Sequence, residues 1–270
     1  MGIYGPFDFL RPIWRYGPLV RGLARRKIEL RYRGSLLGFL WAIVNPLLLL
    51  AVYTFVFSIV FKARWGDASS NTTEFSLYLF SGIILYSVFA ECVNEAPSLM
   101  LQNSAFVKQH RFPLEILLWV SLLATLFNFA VGMTVLMVFH FFVLGLPPVS
   151  AIYLPLIMVP VILMTLGVSW LLAALGVFLR DITQVVGVLT TALLFLSPIF
   201  YPASRIPEHW QAQYFLNPFA RIIEMSKVVL FQGAEPAWVP LAVMSLAGWG
   251  MAWFGYICFM RFKPAFADVV

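Results

Sequence analysis

LLGFLWAIVNPLLLLAVYTFVFSIVF, residues 36–61, runs for twenty-six residues without one ionisable acid or base. As a helix it rises about 39 Å, more than the roughly 30 Å of a bilayer's hydrocarbon core. Further apolar stretches come after it, and six candidate spans can be drawn, at 36–61, 75–95, 114–143, 151–179, 182–200 and 237–260. The expected fold is therefore an all-α integral membrane domain covering residues 1–270, with six transmembrane helices.

Composition agrees. The 270 residues are 61% hydrophobic and 11% charged, whereas soluble domains carry about 25% charge. A soluble enzyme tethered by one anchor does not fit a chain so largely given to spans. The net charge of +6 reads as basic residues gathered beside anionic lipid and not as a nucleic-acid surface. With the N-terminus inside, thirteen of the eighteen Lys and Arg fall on the inner side and five on the outer. That asymmetry places both termini in the cytoplasm. The first apolar run begins only after some thirty-five residues and is too long for a signal peptide, so the chain is expected to insert whole. Cys92 and Cys258 lack ligand-like spacing and read as free thiols.

Three segments outside the spans stand out. Residues 19–33 form an amphipathic helix in projection, with Arg21, Arg25, Arg26 and Arg33 on the polar half. Lys27 and Arg31 fall within its apolar arc, where their stems can snorkel. Residues 97–113 are bracketed by Pro97 and Pro113 and leave room for a short helix between them. Its mixture of Phe106, Val107, Lys108 and Arg111 suits docking of a soluble partner, or folding back onto the bundle. Residues 201–233 are rich in proline and contain a piece, 218–231, too short and too charged to span. An interfacial or re-entrant helix pair is expected there. Inside the first span, Asn45-Pro46 predicts a kink.

The chemistry missing from the chain is equally informative. There is no Gly-Lys pair, hence no phosphate loop for ATP, and no metal-ligand cluster or nucleophile elbow. Neither a catalytic group nor a metal site is expected. Glu91 and Glu95 close the second span one turn apart, either lining a vestibule or resting at the water boundary. The span centres carry no acid or base, as an ion-driven carrier would need. Energy is then expected from another subunit. Aromatic residues make up 17%; interfacial belts explain most of them, although a sugar conduit would also use rings such as Tyr53, Phe57, Phe89 and Trp210. A membrane-embedded enzyme acting on lipid-linked sugars is the alternative class, and a channel or small-solute carrier the third.

LRYRGSLLGFLWAIVNP (residues 30–46), then FLSPIFYP (195–202) and LNPF (216–219), together resemble the membrane subunits of type-2 ABC exporters of polysaccharides. The resemblance covers essentially the whole chain. It implies a homodimeric permease in the bacterial inner membrane, joined by two ATPase subunits that carry ATP and Mg, this chain having no cofactor of its own. The cargo it implies is a lipid-linked glycan on an undecaprenyl-type carrier: an O-antigen, a capsule chain or a teichoic acid. The 97–113 segment would be the coupling helix, presenting Ser98, Asn103, Phe106, Lys108, His110 and Arg111 to the ATPase. The 19–33 helix would be the interface helix, with Arg21, Arg25, Arg26 and Arg31 beside lipid headgroups. The 201–233 segment would hold external gate helices, with Tyr201, Arg205 and Trp210.

Overall fold

The computed structural model describes residues 5–60, 72–109, 112–179, 181–202, 206–207 and 217–269. Helices dominate, and there is no strand among the described residues. Two helices precede the spans: α1 (Arg11–Arg15) and α2 (Gly17–Tyr32). Then come α3 (Trp41–Tyr53), α4 (Thr72–Gln102), α5 (Ser104–Val107), α6 (Ile116–Leu144), α7 (Leu154–Phe178) and α8 (Ile182–Phe195). The chain closes with α9 (Pro218–Lys227), α10 (Trp238–Phe262) and α11 (Phe266–Val269).

Among the described residues, five helical stretches are long and apolar enough to cross a membrane: Gly38–Phe57, Glu74–Gln102, Ile116–Leu144, Val149–Phe178 and Trp238–Val269. The sixth apolar segment, 182–200, is shorter than its hydropathy suggests. Its helix stops at Phe195, fourteen residues in all, which rises only about 21 Å. Pro198 lacks the N–H that would continue it, and the Ser197 hydroxyl donates back to the Leu193 carbonyl at 2.7 Å.

At the centre of the bundle runs α4, whose apolar window is 78% buried against 11% for that of the first span. It packs on α6, α7, α8 and α9. Against α7 the approach is backbone to backbone: a Cβ built at Gly176 would lie 2.0 Å from the Pro97 carbonyl oxygen. The crossing of α7 and α10 is equally close, a Cβ at Gly255 falling 2.1 Å from the Gly167 oxygen. Small residues bring membrane helices together in this way because lipid supplies no hydrophobic drive between them. Around this seam Trp170 is fully buried, edge-on to Trp119, Tyr256 and Phe9. Its indole N–H donates to the Glu115 carbonyl, and that of Trp119 to the Phe9 carbonyl, each at 3.3 Å. The segment before α1 is thereby fastened into the bundle.

Two boundaries differ from the sequence expectation. Pro97 does not open a new helix: α4 passes through it and continues to Gln102. The proline forfeits the bond to the Val93 carbonyl, a cost that tight packing on Gly176 can offset. Where a short helix starting near Pro97 and ending before Pro113 is expected, the described residues hold the end of α4 and then a single turn, Ser104–Val107. In the first span the helix likewise runs on through Pro46 to Tyr53, then widens to a π-helical stretch over Thr54–Val60.

Candidate functional site

Polar side chains concentrate at the two ends of α4. At the Glu91–Glu95 end, α2 packs on α6 and reaches α4 through its side chains. Lys27 Nζ donates to both carboxylate oxygens of Glu95, at 2.6 Å to Oε2, and to Ser121 Oγ of α6 at 3.1 Å. The Ser121 hydroxyl also donates to Glu95. One turn along, Arg31 Nη2 meets Glu91 Oε2 at 3.0 Å. Asn128 of α6 donates to the same oxygen at 3.3 Å and accepts from the Tyr32 hydroxyl at 3.2 Å. Both pairs are spaced i, i+4 on their helices, so two rungs form with α2 and α4 antiparallel. Burial is the largest single influence on the Arg31 pKa and would lower it; the charge and hydrogen bond of Glu91, together with Tyr32, outweigh it and the value is raised. A third pair, Lys263 to Glu115 at 2.6 Å, ties the end of α10 to the start of α6. Lys27 and Arg31 therefore do not snorkel away from an apolar face; their charges are met there by acids.

The opposite end is built differently. Tyr78 stacks on Phe231 at 4.2 Å, and a Cβ at Gly82 would touch Ile199 and Ile223. Seventeen residues separate Tyr78 from Glu95, about 25 Å of helix. Here the turn after α8 is held by both ends of α9. Asn217 caps α9 by accepting from the Phe219 N–H at 3.0 Å, while its amide donates to Ser197 Oγ at 3.0 Å and to the Leu196 carbonyl at 3.3 Å. At the far end of α9, the buried Lys227 donates to the Pro198 carbonyl at 2.5 Å. Burial holds its ammonium pKa well below the usual lysine range, against the pull of Glu224. Ser150 adds a bond to the Val229 carbonyl at 2.6 Å. His140 sits just below, its Nδ1 3.2 Å from the Gly145 carbonyl and its ring beside Phe231.

The chain matches the family model described as ABC-2 type transporter over residues 18–231. It belongs to that family. Among its relatives is an O-antigen export system permease protein, RfbA, of Myxococcus xanthus, 25% identical over 263 residues, which is 97% of this chain and 98% of that one. A Klebsiella pneumoniae protein of the same name is 25% identical over 249 residues, covering 92% and 93% of the two chains. The polysialic acid transport protein KpsM of Escherichia coli is 23% identical over 215 residues, covering 79% and 81%.

Within this ABC-2 chain the expected site residues fall into distinct places. Arg21, Arg25 and Arg26 are exposed on α2, Arg25 pairing with Glu29 at 2.8 Å, whereas Arg31 is engaged by Glu91. Ser98 and Asn103 cap the end of α4, bonding the Glu95 and Leu99 carbonyls at 3.1 and 2.9 Å. Phe106 stacks on Phe112 at 4.4 Å, and Lys108 is exposed. A cavity of about 380 Å³ lies between α2 and this corner, bringing Arg26 and Lys27 together with Glu95, Asn103 and Phe106. His110, Arg111, Arg205 and Trp210 lie outside the described residues.

Tyr53 and Phe57 adjoin one another at 6.5 Å, and Phe57 continues to Phe75 and Phe200 at 5.7 and 6.1 Å. Phe89 is elsewhere, buried between Tyr86 and Phe219 of α9. The Tyr201 hydroxyl donates to the Phe195 carbonyl at 2.9 Å, folding the turn back on α8. Sequence reading missed Asn217, Ser197 and Lys227 as one cluster. It also missed the partners of Glu91 and Glu95, for which a signal existed: two basic residues four apart interrupting one apolar face, and two acids four apart interrupting another.

Proposed function

We propose that this chain is the membrane-spanning permease of an ATP-driven exporter that moves a lipid-linked polysaccharide, of the O-antigen class, out of the cytoplasm across the inner membrane. The observation that carries the reading is the end-to-end match with permeases named for O-antigen export. Two copies form the conduit, six helices each with both termini inside, and each copy docks one ATPase subunit that brings ATP and Mg. The apolar surface left open on α3 and α8, including Leu48, Val188 and Phe195, suits contact with a second copy and with lipid. The corner formed by α2 and residues 98–111, with Ser98, Asn103, Phe106, Lys108, His110 and Arg111, receives the ATPase. Force applied there reaches α4 through the two ion-pair rungs. The exposed Arg21, Arg25 and Arg26 attract the carrier's phosphates.

A polymer too long to enclose requires a continuous path with weak, repeated contacts, as conduction through multiple sites does. Tyr53 and Phe57 offer ring faces along such a path, whereas Phe89, expected to join them, is buried against Tyr86 and Phe219; the α9 region with Tyr201, Arg205 and Trp210 closes the outer end. Deleting the gene should remove long-chain polysaccharide from the cell surface while lipid-linked glycan accumulates inside; restoration must require both this chain and an ATPase partner. Unchanged surface polysaccharide in the deletion strain would overturn the reading. So would export by the chain reconstituted alone on an ion gradient.

A further inference from the structure

One cavity borders the Arg31–Glu91 rung but lies apart from the corner at 98–109 and from the α9 region. It has a volume of about 450 Å³ and lies between α2, α3, α4 and α6, within the size range of small-molecule sites. Its lining on α4 runs from Glu91 through Ser87 and Ile84 to Phe80, eleven residues or about 16 Å along the helix. That is about half the hydrocarbon thickness, the depth of one leaflet. Polarity is sorted along this length. The α2 end carries Arg31, Glu91 and Asn128, and the deep end is apolar.

The charges at the mouth are one of each sign and both are partly open, with side chains 49% and 37% exposed. Glu91 Oε2 takes the Arg31 and Asn128 bonds, whereas Oε1 accepts none among the described residues. Asn45, on the cavity wall, is exposed and makes no hydrogen bond among the described residues. We infer that this cavity is a binding site for a zwitterionic aminophospholipid, with the phosphate on Arg31, the primary ammonium on Glu91 Oε1 and an acyl chain lying against Ile84 and Phe80.

Charge balance selects this occupant. A polyprenyl pyrophosphate or an anionic phospholipid would bring negative charge against the Glu91 carboxylate with nothing to answer it. A headgroup holding phosphate and ammonium together answers both residues. Asn45 adds an amide donor suited to a glycerol ester carbonyl. The site does not depend on what the protein exports.

The full chain should be reconstituted with equimolar phosphatidylethanolamine and phosphatidylglycerol of matched acyl chains, extracted gently, and its retained lipid weighed by native mass spectrometry. The expected result is about one phosphatidylethanolamine per chain, favoured about fivefold over phosphatidylglycerol. Glu91→Gln, which keeps the packing, should bring the preference to about one. Ile84→Trp, which fills the cavity and leaves the ion pair alone, should lower retention of both lipids. Equal retention of the two lipids by the wild type overturns the inference. So does a preference that survives both substitutions, or displacement of phosphatidylethanolamine by an equimolar polyprenyl pyrophosphate.

Discussion

The two ends of α4 are fastened by opposite means. At the α2 end, full charges of both signs meet in partly wet surroundings, with Lys27 and Glu95 about 30% exposed. At the α9 end, α4 lies by apolar contact against Phe231, Ile199 and Ile223, and that block is locked within itself by a buried lysine and an asparagine bonded to backbone carbonyls and a hydroxyl of the turn after α8. Ion pairs of the first kind rearrange at little net cost, because water and alternative partners are within reach. Bonds of the second kind leave desolvated groups unpaired when they open, about 1–3 kcal/mol for each. A helix held in this way is adjustable where α2 touches it and stiff where it meets the locked α9 block.

The largest effect should come from neither fastening but from the seam that keeps α4 aligned between them. Gly176→Val places side-chain atoms where the Pro97 carbonyl oxygen now sits, 2.0 Å from the Cβ position. Backbone cannot yield as a side chain does, so we expect a loss of more than about 3 kcal/mol. Thermal unfolding in detergent, read as a midpoint or an inactivation half-life, checks it. Gly187→Ala on α8, whose Cβ position is open, should be close to neutral under the same conditions.

Next in size is the α9 end. Lys227→Met keeps the length of the buried stem and removes the donor to Pro198, with an expected cost of about 2 kcal/mol. The lysine also gives this end a pH signature. Its pKa in the folded protein lies well below the ordinary lysine value because burial disfavours the ammonium. Between the folded value and about 10.4, the unfolded chain binds more protons than the folded one. Stability therefore rises with pH across that window. A wild-type unfolding midpoint that climbs through it, and a Lys227→Met midpoint that climbs less, would support the contrast between the ends. Identical slopes would remove the lysine from the account.

Smaller again is Glu95→Gln, which strands the Lys27 ammonium beside Ser121. Because the pair is only partly buried, about 1–2 kcal/mol is expected. The signature to look for is functional: if α2 and α4 move as one, the variant should hydrolyse ATP with its partner subunit at a near-normal rate while export falls several-fold. Proportional loss of both would mean that the rung serves docking and not transmission.

How much of this was readable in the sequence depends on where each interaction keeps its information. The apolar runs announced five of the six spans drawn, the sixth helix stopping at Phe195, and the 19–33 periodicity announced α2 to within two residues. The rungs were half-visible, since Lys27 and Arg31 break one apolar arc at the same spacing at which Glu91 and Glu95 break another. Matching the two sets needed the antiparallel crossing, which no local pattern encodes. Pro97 misled because a proline marks helix starts and tolerated interior bends alike, and only the approach of Gly176 distinguishes them. Lys227 was invisible as an anchor because its partner is a backbone carbonyl, a group every residue carries. The form of the 97–113 segment was misjudged, as α4 runs on through Pro97 and Asn103 turns its amide onto Leu99 where the helix ends.

The weakest fastening gives the sharpest test of the contrast. Arg31 and Glu91 are half-open to solvent, so their attraction is screened over a Debye length of about 8 Å at physiological ionic strength. We expect Glu91→Gln to cost less than about 1 kcal/mol at low salt and nothing measurable at 1 M. The Lys227 anchor is almost fully buried, where mobile ions do not reach, so the cost of Lys227→Met should be the same at both concentrations. Measured side by side, a salt-dependent loss at the α2 end and a salt-independent one at the α9 end would establish that the two ends differ in kind. If both costs shrink in parallel with salt, the α9 end is open to water and α4 is adjustable along its whole length.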